Sequence, residues 1–149
     1  MARTTTATEN ATLNSLLRGE MSAIETYRMA IDKLEGSNEP GSAELQAMRR
    51  DHRDAADSLW QLLERKGERP SESSGAWGAF AKAVEGTARL FGNAAALKAL
   101  KEGEEHGLKD YEDALHDDSL PVEARAKIQG FIGRQRAHIQ VLDRLIAVQ

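Results

Sequence analysis

Leu13-Asn-Ser-Leu-Leu-Arg-Gly-Glu20, continued by Met21-Ser-Ala-Ile-Glu-Thr-Tyr27, carries the pattern from which the fold follows. Positions 13, 17, 20, 24, 27, 31 and 34 step by threes and fours, as on one face of an α-helix. All are apolar or aromatic except Glu20. The stretch Leu100-Lys-Glu-Gly-Glu-Glu-His-Gly-Leu-Lys-Asp-Tyr111 repeats it after one inserted residue: Gly19-Glu20 matches Gly103-Glu104, Tyr27 matches Tyr111, and Ala30 matches Ala114. Downstream, Arg49-Arg-Asp-His52 pairs with Gln135-Arg-Ala-His138, Asp57 with Asp143 and Leu59 with Leu145. Matched polar positions at fixed spacing favour a duplicated helical hairpin over chance similarity of amphipathic helices.

Four periodic segments follow. The first runs from about Leu13 to Glu35; Gly36-Ser-Asn-Glu-Pro-Gly41 ends it, and Ser42 is placed to cap the second, which runs to about Lys66. The third spans Asn93 to about His116, and the fourth opens near Ser119 and Pro121, where proline suits a first turn. Between the hairpins, a polar Pro/Ser/Gly stretch precedes Ala76–Phe91, whose Trp77, Phe80, Val84 and Phe91 predict a short amphipathic helix. Two short loops and one long connection predict an all-α antiparallel four-helix bundle of two related hairpins with a crossover. The expected division is a disordered arm over 1–11 and a bundle over 12–149, made of hairpin 12–66, crossover 67–92 and hairpin 93–149.

Composition narrows the function. The chain has 149 residues, 30% of them charged and 5% aromatic, rich in helix formers and poor in strand formers. At net charge −4, with both signs interleaved, it offers no basic stripe for a nucleic-acid backbone. It has no cysteine, which excludes disulfides, thiolate metal sites and thiol nucleophiles. No apolar run approaches a membrane span. The N-terminus lacks an apolar signal core, so a cytoplasmic location is expected. Ser71, Ser73 and Ser74 lack any Gly-x-Ser-x-Gly context, which rejects a hydrolase.

Each helical seam is broken by a polar residue: Glu20 in the first, His52 in the second, Glu104 in the third, and both Gln135 and His138 in the fourth. Counted from the hairpin loops at roughly 1.5 Å per residue, Glu20, His52, Glu104 and His138 fall within about one helical turn of a common level. Buried carboxylates are costly unless paired or bound to a cation. Imidazole and carboxylate together form the ligand set of zinc, iron or manganese. Gly19 and Gly103 permit close helix approach, and Tyr27 and Tyr111 stand two turns along the same faces, within reach of the cluster. His106 reads as a boundary residue, Glu102 and Glu105 as a solvated acidic face, and His116 as a partner for helix-terminal carbonyls.

From about Leu13 to Ile146 the chain resembles ferritin-like proteins, and more narrowly a bacterial family of ferritin-like four-helix bundles catalogued as a domain of unknown function. The resemblance rests on Leu13–Glu20, Ser74-Gly-Ala-Trp77, Glu102-Gly-Glu-Glu-His-Gly107 with Tyr111-Glu112 and Ala114-Leu115, and Gln135-x-x-His138. The broader group implies oxygen, peroxide or iron chemistry at a carboxylate-bridged di-iron centre; the narrower one implies almost nothing about activity. Ferritin-like bundles also imply a homo-oligomer, here a dimer.

The di-iron pattern implies bridging glutamates at 49 and 135, but this chain has Arg49 and Gln135. Glu20, Glu104 and Arg49 carry a formal −1, which two divalent ions turn into +3, disfavouring a dinuclear centre in a low-dielectric core. Two options remain. In the first, Arg49 and one histidine neutralise the glutamates in a metal-free network, and the chain is a non-catalytic binding or scaffold protein. In the second, Arg49 turns outward and Glu20, His52, Glu104 and His138 hold one divalent ion (iron, zinc or manganese), with redox or oxygen-linked activity. Gln135 serves either as a hydrogen-bonding neighbour.

Overall fold

The computed structural model describes residues 2–36, 41–71 and 92–149. These form four helices: α1 (Ala2–Gly36), α2 (Ser42–Arg65), α3 (Asn93–Ala114) and α4 (Val122–Ala147). No strand occurs among the described residues. The segment expected as a crossover helix, with Trp77, Phe80, Val84 and Phe91, lies outside them, as do Ser73 and Ser74. Helices α1 and α2 pack most extensively on each other, as do α3 and α4; α1 also packs on α3, and α2 on α4.

The seams read from the sequence become the core. One apolar cluster gathers Leu13, Leu17, Leu59, Leu63, Ile128 and Phe131; a second gathers Ile31, Leu34, Leu45, Met48, Leu97 and Leu142. Burying each such side chain contributes roughly 1.5–3 kcal/mol. Along every helix, the polar interruption falls between residues of one cluster and residues of the other. A single polar layer therefore sits between two apolar ones.

The helix ends refine three expectations. Residues expected as a disordered arm instead continue α1 as helix back to Ala2. Glu9 and Asn10 are buried there, Glu9 ion-paired with Lys66 and Asn10 donating to Glu68 at 3.2 Å. Polar side chains with partners on the segment after α2 keep this turn ordered without an apolar seam. Ser42 does not cap α2: it lies inside the first turn and its hydroxyl donates to Glu35 at 2.9 Å. The N-cap position is Gly41, whose φ of 110° favours glycine, and where an added Cβ would stand 3.0 Å from Leu145 Cδ2. At the other turn, Pro121 precedes α4, and Arg125 donates to the carbonyls of Leu115, Asp117 and Leu120, tying the loop to the end of α3. His116 donates from Nδ1 to the Glu112 carbonyl at 3.0 Å, the terminal contact its position predicts.

Candidate metal centre

Glu20, His52, Glu104 and His138 meet in the buried layer, each less than 5% exposed. His52 bridges the two hairpins, with Nδ1 2.6 Å from Glu20 Oε2 and Nε2 2.6 Å from Glu104 Oε1. His138 Nδ1 lies 3.1 Å from that same Glu104 oxygen. The tyrosines cross between hairpins: Tyr27 donates to Glu104 Oε1 and Tyr111 to Glu20 Oε1, each at 2.5 Å. This exchange follows from helical spacing. Each tyrosine is two turns from the glutamate of its own helix, which brings it level with the glutamate of the facing helix.

The electrostatics follow from burial and proximity. Burial alone disfavours an imidazolium at His52, but the charges of Glu20 and Glu104 and their hydrogen bonds outweigh it and hold the ring well above its ordinary value. Burial likewise disfavours the Glu104 carboxylate, yet His52 and the bonds from His138 bring it down to about 2. Burial, then the adjacent carboxylates, push both phenols well above 10, so Tyr27 and Tyr111 remain neutral donors. Each phenol satisfies an oxygen of a buried carboxylate. Tyr27→Phe and Tyr111→Phe are each expected to destabilise the protein by roughly 1.5–3 kcal/mol, as for hydrogen bonds to charged groups. Chemical denaturation checks this, and a loss below about 0.5 kcal/mol for both would show that the phenols do not support the carboxylates.

Arg49 stands apart from the cluster. Its Nε donates to the Ile24 carbonyl at 3.2 Å, and the side chain joins Arg28, Arg50 and Arg53 around an outer groove between α1 and α2. The neutralising role considered for Arg49 is therefore not what the structure shows; a long cationic side chain beside a surface groove keeps its charge near water. Arg49→Ala is expected to change stability by less than about 1 kcal/mol, as for a partly exposed charge. Chemical denaturation of the variant checks this.

Gln135 is buried against Gly107, where an added Cβ would stand 2.7 Å from its Nε2. One further residue completes the site: Asp51, whose Oδ2 lies 2.8 Å from His138 Nε2. The sequence comparison of the hairpins passes over it because its counterpart is Ala137 and it lies one step off the α2 seam. Its adjacency to His52 was the only signal. Asp51 breaks the internal symmetry, drawing the second nitrogen of His138 outward while that of His52 spans the core. Glu102, Glu105 and His106 are exposed and remain outside the cluster.

The donor set suits a cation. Glu104, His52 and His138 each offer a ligand atom, and these all lie within 4.8 Å of one another. Glu104 Oε2 and Gln135 Oε1 are buried acceptors without a hydrogen-bond partner among the described residues. Together, fold and site define a class: a protein whose described residues form four packed helices around a buried His–carboxylate cluster that could hold a metal ion. A family model described as "Domain of unknown function (DUF2383)" matches residues 8–117, and the chain belongs to that family. The match takes in Glu20, His52 and Glu104 and ends before His138. Searches of curated proteins and of solved structures find no match.

Proposed function

We propose that the protein binds one divalent cation in this layer, through His52, Glu104 and His138, with Glu20 and the two tyrosines setting the charge and orientation around it. The observation that carries this is the convergence of two imidazoles and a carboxylate in the buried layer, with Arg49 turned away from them. Without metal, Glu20, Glu104 and an imidazolium at His52 sum to a formal −1; exchanging that proton for a divalent ion brings these three buried groups to zero, leaving the half-exposed Asp51 beside His138. The imidazole–carboxylate set fits zinc, iron or manganese. When bound, such an ion supplies Lewis-acid polarisation.

A ferritin-like antiparallel arrangement is part of this reading. It is supported by the order of side-chain pairs. Along α1 and α2, Asn10 pairs with Glu68 and Glu20 with His52; along α1 and α3, Thr12 pairs with Asp117 and Tyr27 with Glu104. Sequence numbers rise on one helix as they fall on the other. The end of α2 and the start of α3 then stand at opposite ends of the bundle. We extend the reading to a homodimer, testable by sedimentation across working concentrations.

Elemental analysis and calorimetric titration with Zn²⁺, Fe²⁺ and Mn²⁺ test the metal site. Near-stoichiometric binding that is lost in both His52→Ala and His138→Ala supports it. Binding that neither variant alters sinks it. The second reading, a metal-free scaffold, draws on the two 2.6 Å contacts by which His52 already engages one oxygen of each carboxylate. It wins if the wild-type protein takes up none of the three ions.

A further inference from the structure

The α1–α3 face holds two spaces that share a wall. The outer one is a groove of about 420 Å³ bordered by Asp113 and Asp117. The inner one is a chamber of about 40 Å³ whose lining includes Glu20, His52 and Glu104. Ser15, Leu16 and Asp110 line both, forming the neck between them. The chamber exists because Gly19 and Ala23 of α1 face Gly103 and Gly107 of α3. Its volume exceeds the ~10–15 Å³ that one water needs. Its walls also include Glu104 and Gln135, the residues whose buried Oε2 and Oε1 have no hydrogen-bond partner among the described residues. Acceptors left this way require a donor or a cation in the space beside them.

The opposite face is less suited. Between α2 and α4 the space is only about 10 Å³, and Arg134 lines it. Asp51 stands there too, but its carboxylate is taken by His138. A cation approaching from that side meets a like charge; one approaching along α3 meets aspartates.

We propose that divalent cations reach the buried cluster across the α1–α3 face, through the neck at Ser15 and Asp110 and the glycine-lined chamber behind it. The route rests on the metal reading above. Asp110 concentrates cations at the neck and Asp117 extends the same field along the groove, while the charge of Asp113 is partly offset by Lys109 at 3.4 Å; clefts lined by one sign of charge raise local counter-ion concentration.

Stopped-flow uptake and release of Co²⁺ by the full chain, stripped of metal beforehand, tests the route. Ser15 is exposed, so Ser15→Phe fills the neck without disturbing the core. It is expected to slow uptake and release alike, on the order of tenfold, leaving the dissociation constant unchanged, as an added barrier on a path must. Asp110→Asn is expected to slow uptake roughly three- to tenfold at low ionic strength, with the difference closing in high salt. Wild-type rates in both variants overturn the route while leaving the metal site standing. A large acceleration of uptake in Arg134→Ala also overturns it, in favour of the α2–α4 face. Failure of the wild-type protein to take up Co²⁺, Zn²⁺, Fe²⁺ and Mn²⁺ alike overturns the route and the metal reading together.

Discussion

His52→Ala is expected to abolish divalent-cation binding and to lower the stability of the metal-free protein by about 3–5 kcal/mol, the range for breaking a buried ion pair from one side. Among the described residues, His52 is the only side chain that touches both Glu20 and Glu104, at 2.6 Å from each. Without it, each glutamate keeps its tyrosine hydrogen bond, and Glu104 its His138 contact, but the cation between them is lost. Alanine also leaves a void where the ring stood against Tyr27 and His138, whose centroids lie 5.2 and 5.1 Å away. For a chain of this size the melting temperature should fall by roughly 10 °C. Thermal unfolding in a chelator measures the stability, and titration with Zn²⁺ measures the binding. A variant that melts within about 2 °C of wild type would show that the layer does not depend on this imidazole.

The second large effect is a dependence on pH in the metal-free protein. Glu104 has a folded value of about 2 against an ordinary 4.5. A depressed carboxylate contributes stability above its unfolded value and loses it as pH falls through the folded one. The contribution is about 3 kcal/mol and should disappear between about pH 4.5 and pH 2. His52 shifts the other way. Its raised value contributes stability below about pH 6.5 that is lost as pH rises through the folded value. Because the two groups are coupled, the energy belongs to the pair and is counted once. Stability in chelator should therefore peak between about pH 4.5 and 6.5. Denaturant unfolding at pH 3, 5.5 and 8.5, beside a Glu104→Gln variant lacking the acid limb, checks both signs. A bound metal reverses the alkaline trend, because protons compete with the ion for the histidines. Stability of wild type rising steadily from pH 5.5 to 8.5 in chelator would contradict the imidazolium at His52.

Much of the layer was legible before any coordinates, and the reason lies in helical periodicity. A seam that steps 13, 17, 20, 24 and 27 admits one inward direction, so Glu20 had to face the core once Leu13, Leu17 and Tyr27 did. The same argument fixed His52, Glu104, Gln135 and His138, and all five are buried. The approximate repeat then aligned their depths. What periodicity could not reach was any residue beside a seam. Arg49 and Asp51 both flank the inward face of α2, where a side chain has a choice between core and surface. Arg49 turned to the Ile24 carbonyl and the outer groove; Asp51 turned toward His138. Helix ends escaped for a related reason. Ala2–Asn10 lack an apolar seam, and their order depends on contacts such as Glu9 with Lys66 that no local pattern announces.

The order of residues along the chain therefore determined the four amphipathic helices of the described residues and the set of polar groups that must share their interior, because burial of an apolar stripe leaves no freedom to residues lying on it. Only the packed structure decided which partners those groups take: the tyrosines crossing between hairpins, the arginine leaving the cluster, the aspartate joining it. Such choices depend on distances between helices, and the cost of an uncompensated charge selects among them only after the helices have come together.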